Sequence, residues 1–206
     1  MPGLLHRLHR IRHADAFIFG SMLCSSILSL IASFVLSVDA IELAKNPDAA
    51  LACNINEVIS CGKVGATWQA NLLGFPNAFL GMIAEPVVIT IAVAALGGVR
   101  FPRWFMFAAQ IVYTLGLILA YWLFYQSMFH IGALCPWCLL VTVSTTLVFA
   151  SLTHVNVRDD NLFLPAPVQS TLAAGVRANL DLMAVAIWML VLVLLITVTY
   201  GSQLLG

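Results

Sequence analysis

Four of the five cysteines in this chain fall into two close pairs. Cys135-Pro136-Trp137-Cys138 is a C-x-x-C that ends a short polar connection and opens the apolar run Leu139 to Ala150. Two thiols three residues apart at a helix start can close on one another, and the helix N-terminus favours the thiolate of the first. The pair therefore suits dithiol–disulfide exchange. The second pair frames the segment Cys53-Asn54-Ile55-Asn56-Glu57-Val58-Ile59-Ser60-Cys61. On a continuous helix these two cysteines would lie about 12 Å apart along the axis, beyond the roughly 7 Å limit for bridged Cα atoms, so the segment must bend or unwind to join them. A loop carrying one pair and a helix terminus carrying the other is what an electron relay needs, because each sulfur must reach its neighbour through a mixed disulfide. Two other readings stay open: a stapled loop, common in exported proteins, and a zinc site made by all four thiols.

The elements that must position these thiols are set by composition. Of 206 residues, 62 % are hydrophobic and 9 % charged, with a mean hydropathy of +1.00, against about 25 % charged in a typical soluble domain. This is the composition of an integral membrane protein. The formal net charge is zero, there is no basic run of the length nucleic acid requires, and there is no glycine-rich phosphate loop, which argues against nucleotide or nucleic-acid chemistry. Apolar stretches long enough to cross a bilayer lie at about 16–38, 77–96, 104–127, 135–153 and 182–200, so the expected fold is all-α with five transmembrane helices in a single domain, 1–206. The first stretch, behind Arg7, Arg10 and Arg12, is too long for a signal-peptide core and reads as a retained helix. Residues 39–76 are too polar to span and form an extramembrane loop, the redox loop, which is expected to present Cys53 to a partner. A second polar connection, His154 to Asp181, has Pro165 and Pro167 as breakers.

Orientation follows from the excess of Lys and Arg in short cytoplasmic loops. Arg7, Arg10, Arg12, Arg100, Arg103, Arg158 and Arg177 fall in three segments that share one side, whereas only Lys45 and Lys63 lie on the other. The N-terminus is then cytoplasmic, and Cys53, Cys61, Cys135 and Cys138 converge on the extracytoplasmic surface of the cell's inner membrane. That is the compartment in which disulfides form and persist.

The loop pair, the downstream Thr67-Trp68, the Asn77-Ala78-Phe79-Leu80-Gly81 opening of the second helix and Cys135-Pro136-Trp137-Cys138, in that order, resemble the bacterial branch of the vitamin K epoxide reductase family over residues 16–153. The resemblance implies a four-helix bundle around a quinone of the ubiquinone or menaquinone type, with a fifth, peripheral helix. It implies that the loop cysteines exchange with an extracytoplasmic thioredoxin-fold (DsbA-like) protein and that the C-x-x-C passes two electrons to quinone. It assigns Asn77 to a quinone carbonyl and Thr67 to a position near the active cysteines; the residues alone read as a helix N-cap and a loop hydroxyl. Some bacterial members carry a fused thioredoxin-like domain after the fifth helix. This sequence stops at Gly206, so a separate partner is expected. A tyrosine often found after the C-x-x-C in the family is absent, Leu139 to Ser144 reading Leu-Leu-Val-Thr-Val-Ser.

The implied relay runs from partner to Cys53, then from Cys61 to Cys135, with Cys138 facing the quinone. A four-cysteine oxidase of the disulfide-bond formation protein B type would perform equivalent chemistry from two separate outer loops, and a membrane scaffold with structural disulfides or a four-cysteine zinc site would perform none. Three further features are weighed more plainly. Glu85, near the middle of the second span, reads as a hydrogen-bonded carboxyl beside the helix-kinking Pro86 rather than a proton relay. Cys24 reads as a small hydrophobe within the first span. Tyr121, Trp122 and Tyr125 read as an interfacial aromatic belt.

Overall fold

A computed structural model of the chain describes residues 14–205; Arg7, Arg10, Arg12 and Gly206 lie outside the described residues. Among these, the architecture is all-helical apart from one isolated parallel bridge between Ile59 and Leu134. Five helices are long and apolar enough to cross a membrane: α1 (Asp15–Lys45), α3 (Ala78–Leu96), α4 (Arg103–Gln126), α5 (Pro136–Arg158) and α7 (Leu180–Leu205). Two short helices, α2 (Cys61–Gly65) and α6 (Ala166–Arg177), sit in the polar connections.

The spans fall where the apolar runs put them, with two helices longer than expected. α1 continues from the expected end at Val38 to Lys45, so Asp39 belongs to a helix and not to the loop. α5 runs on to Arg158. In lipid, apolar side chains gain nothing by meeting each other, so close packing and hydrogen bonds hold the helices together. α1 shows how: Ser25, Ser26, Ser29, Ala32, Ser33 and Ser37 are buried along it, a small-residue face that lets α3 and α5 approach on either side. Gly81 of α3 meets this face. A Cβ placed there would overlap both Oγ and Cβ of Ser33. Gly81→Val is accordingly expected to lower stability by about 1–3 kcal/mol, the usual cost of overpacking; a thermal melt in detergent reads it, and an unchanged midpoint would show that α1 and α3 separate freely.

α7 is the peripheral helix, with 6 % of its apolar window buried. Polar contacts to α4 and to the turn after it help to hold it. Trp188 Nε1 donates to Tyr121 Oη at 2.7 Å, and Tyr200 donates to the Met128 carbonyl at 2.7 Å. Tyr121 is also 2.7 Å from Thr146 Oγ1, so it ties three helices together and is not simply a member of an interfacial belt; Trp122 packs against Trp68 with ring centroids 6.0 Å apart. Cys24 is exposed on the lipid-facing surface of α1 and is not part of the core.

At one end of the bundle, Arg158 pairs with Asp15 at 2.7 Å and Arg103 with Asp160 at 3.1 Å. This end therefore joins the start of α1, the start of α4 and the end of α5. All four paired cysteines lie at the opposite end.

Candidate active site

The loop between α1 and α3 is folded by its asparagines. Asn54 Oδ1 accepts from Gly62 N at 2.9 Å and from Ser60 Oγ at 3.0 Å. Asn56 Oδ1 accepts from Val58 N at 2.9 Å and Ile59 N at 2.7 Å, the side-chain-to-backbone turn chemistry at which Asn excels. The chain doubles back, and Cys53 and Cys61 form a disulfide with Cα atoms 5.6 Å apart. The expected bend is therefore present, and Cys61 opens α2 behind the N-cap Ser60, whose side chain accepts from Lys63 N.

The Ile59–Leu134 bridge sets the second half of the site. Ser60 N donates to Leu134 O at 3.0 Å and Leu134 N to Val58 O at 2.6 Å, which fixes the residues just before Cys61 beside the residue just before Cys135. A π-helical turn, Ser127–Ile131, and Gly132 at φ +67° bring the chain out of α4 into this pairing. A left-handed backbone costs glycine little. Cys135 is the N-cap of α5 and Pro136 fills the first helical position, where its missing N–H costs no hydrogen bond.

The result is sulfur against sulfur. Cys135 Sγ lies 3.3 Å from Cys61 Sγ, while Cys138 N donates to Cys135 Sγ at 3.3 Å. Cys53, Cys61 and Cys135 make one buried cluster, with Leu36, Leu51, Val64 and Trp137 packed around it. Cys53 and Cys61 are joined to each other, whereas Cys135 and Cys138 are free thiols. Cys135, just outside the spanning helix, has its thiol held below the ordinary cysteine range, first by the hydrogen bond with the Cys138 side chain and then by the Cys138 and Trp137 backbone amides, against burial and the Asp39 charge. Lowering a thiol's pKa raises its thiolate fraction at neutral pH.

The expectation that the loop presents Cys53 openly needs correction: Cys53 is 7 % exposed, against 3 % for Cys61 and 1 % for Cys135. All three sulfurs are buried, while the adjoining stretch Asn54 to Glu57 is exposed.

Beneath the sulfurs lies a cavity of about 230 Å³ enclosed by α1, α3, α4 and α5 and roofed by the loop; its wall includes Cys135, Cys138, Thr67, Asn77 and Glu85. Asn77 precedes α3 without capping it by its side chain. Its Nδ2 donates to Gln69 O at 2.6 Å and its Oδ1 accepts from Leu72 N at 3.2 Å, so it pins the 3-10 turn Trp68–Asn71 over the cavity. Thr67 donates to Val64 O at 2.7 Å. Glu85 is buried and hydrogen-bonded, accepting from Ser29 at 2.7 Å and from Tyr113 at 2.9 and 3.1 Å. Sequence reasoning passes over Ser29, Tyr113 and Asp39, which also lines the cavity. The first two carry the signal of polar groups inside apolar spans; Asp39 is hidden by its assignment to the loop.

The family model for the vitamin K epoxide reductase family matches residues 21–153, nearly the stretch over which the motifs resemble it and the stretch that contains every residue of this site. Among curated proteins, none matches the chain.

Proposed function

As the chain belongs to the vitamin K epoxide reductase family, a family of membrane thiol-disulfide oxidoreductases, we propose that it reoxidises an extracytoplasmic thioredoxin-fold (DsbA-like) protein and delivers the two electrons to a membrane quinone, supporting disulfide-bond formation. The observation that carries this reading is the 3.3 Å contact between Cys61 and Cys135. A scaffold with two fixed bridges has no use for a sulfur of one pair resting on a sulfur of the other, whereas a relay requires it.

Cys53 receives the partner's thiolate and Cys61 leaves as the thiolate. Once the partner's second thiol has released it, the loop holds two thiols. Cys61 then attacks Cys135, expelling Cys138, and closure of Cys53 on Cys61 leaves both electrons on Cys135 and Cys138. A bound quinone supplies the final acceptor, taking two electrons and two protons from this dithiol. The cavity suits a flat, largely apolar head group: its walls are apolar side chains with few polar groups, as small-molecule sites are. Cys138, Asn77 and Thr67 line this cavity and would hold such a group, Cys138 as the electron donor and Asn77 through the amide N–H that it does not give to Gln69. Which way the relay runs is set by potentials, about 1.4 kcal/mol per 30 mV for a two-electron couple.

The protein should therefore catalyse quinone reduction by a reduced thioredoxin-fold protein when purified and mixed anaerobically with both. Quinol is read by absorbance and partner thiols by alkylation; no quinol, with the partner still reduced, would reject the function. Sidedness rests on the arginine-rich end lying opposite the sulfurs. In intact cells, membrane-impermeant thiol labelling of engineered cysteines should reach the 46–76 loop and miss 159–179, and the reverse pattern would place the thiols in a reducing compartment.

A further inference from the structure

A charged group lies beside Cys53. Asp39, near the end of α1, has its Oδ2 3.6 Å from Cys53 Sγ, and its carboxylate oxygen lies within 4.8 Å of both loop sulfurs. It is half-buried, and among the described residues no Lys or Arg pairs with it and it makes no other side-chain hydrogen bond. A half-buried carboxyl without a cation adds little to stability, which directs attention to the atom it touches.

Resting on the relay reading, we propose that Asp39 is the proton carrier of the internal interchange, taking the proton that Cys53 loses as the loop disulfide closes and giving it to Cys135 as that sulfur is expelled. The chemistry of the interchange requires such a group. Two S–H bonds, at Cys53 and Cys61, and the Cys135–Cys138 bond are broken; the Cys53–Cys61 bond and S–H bonds at Cys135 and Cys138 are formed. Two electrons pass from the loop pair to the helix pair. Cys61, once a thiolate, attacks Cys135, and the proton it lost is balanced by the one Cys138 gains. The second half is harder. Cys53 must attack Cys61 as a thiolate, since the thiol is a poor nucleophile, and it does so inside a cluster sealed by Leu36, Leu51, Val64 and Trp137. Asp39 is the base within reach. Cys135, leaving as a thiolate 3.3 Å from Cys61, takes the proton back, and Asp39 ends as it began. Asp39 and Cys135 line the same cavity.

When the partner later expels Cys53, the same carboxyl stands ready to protonate it. This gives Asp39 contact with a reacting atom in both half-reactions, although it belongs to neither cysteine motif.

The interchange needs only this chain, so it can be timed without quinone turnover. Full-length protein with both pairs oxidised is mixed with one equivalent of dithiothreitol, quenched at intervals with acid, alkylated, and mapped by peptide mass spectrometry for which pair holds the thiols. In the wild type the thiols should move from the loop pair to Cys135 and Cys138. In Asp39→Asn this transfer should slow by about 10²-fold or more, the usual contribution of a general base, with a Cys61–Cys135 disulfide visible in passing. Asp39→Glu should recover most of the rate. Asp39→Ala should be accelerated by added formate in proportion to its concentration, a response that a purely structural residue does not give. Wild-type transfer in Asp39→Asn, or an Asp39→Ala rate indifferent to formate, would overturn the proposal. Should Asp39→Asn not fold, Asp39→Glu and Asp39→Ala decide the matter alone. Transfer between the pairs without quinone reduction would instead count against the function and leave Asp39 its role.

Discussion

Replacing Cys138 by serine is expected to abolish quinol formation, by at least about 10³-fold, while the loop pair still accepts electrons from a partner. Residues that act as a unit fail together when one is removed, and Cys135 with Cys138 is such a unit: the two electrons leave as a disulfide forms between them, and a serine hydroxyl cannot close that bond. The geometry separates this effect from misfolding. Cys138 contributes its backbone amide to the Cys135 sulfur, which serine retains, and its side chain lines a cavity without being one of the core residues. The variant should therefore fold and should still form an adduct through Cys53. Steady-state quinol formation measured beside partner thiol content decides: retained turnover would remove Cys138 from the role of electron donor and direct attention to Cys135 alone.

The five spans are legible because runs of about 20 apolar residues have few other fates. What composition hides are the places where charge and proline mislead. Asp39, Glu42 and Lys45 suggest that the first helix ends at Val38, yet a helix does not stop where hydropathy does, and the 3.1 Å pairing of Lys45 with Glu42 lies within its last turn. Pro165 and Pro167 read as breakers; they occupy the N-cap and second position of α6, where a missing N–H is tolerated and the ring favours starting a helix. The extension of α5 carries His154, whose Nδ1 lies 2.7 Å from Asp181 on α7, a partner 27 residues away that no local pattern reveals.

The site shows the same division. Two cysteine pairs at one end of the bundle can be deduced from spacing and basic-residue asymmetry, because both depend on chain direction alone. The 3.3 Å contact between Cys61 and Cys135 cannot, since it depends on a single bridge between Ile59 and Leu134. Asn77 can be placed at the cavity by resemblance, but its grip on Gln69 and Leu72 shows that one amide shapes the roof as well as the wall. Glu85 matches the plainer of its two readings, a hydrogen-bonded carboxyl, and its partners Ser29 and Tyr113 come from helices that sequence order does not pair.

Cys61→Ala should trap a disulfide between Cys53 and the thioredoxin-fold partner. Cys53 is then a lone thiol, and its thiolate attacks the disulfide that a partner keeping only its first active-site cysteine forms with glutathione: one S–S bond is exchanged for another, glutathione is released, and the partner holds no second thiol to undo the adduct. In the wild type an adduct on Cys53 has Cys61 bonding distance away, at an effective concentration far above that of any free thiol, so it is too short-lived to see. Removing Cys61 takes away that resolving sulfur. Position argues for Cys53 as the sulfur met first, since Cys135 is the most deeply buried of the three and lies behind Cys61. Cys53 is buried in the folded loop, so weakening the Asn54 contacts to Ser60 and Gly62 that hold the loop together should speed adduct formation. Cys135→Ala should behave differently, oxidising one partner molecule and stalling as a loop dithiol. Non-reducing gels with mass spectrometry of the cross-linked peptides separate these cases, and a partner adduct on Cys135 with none on Cys53 would reverse the order of transfer.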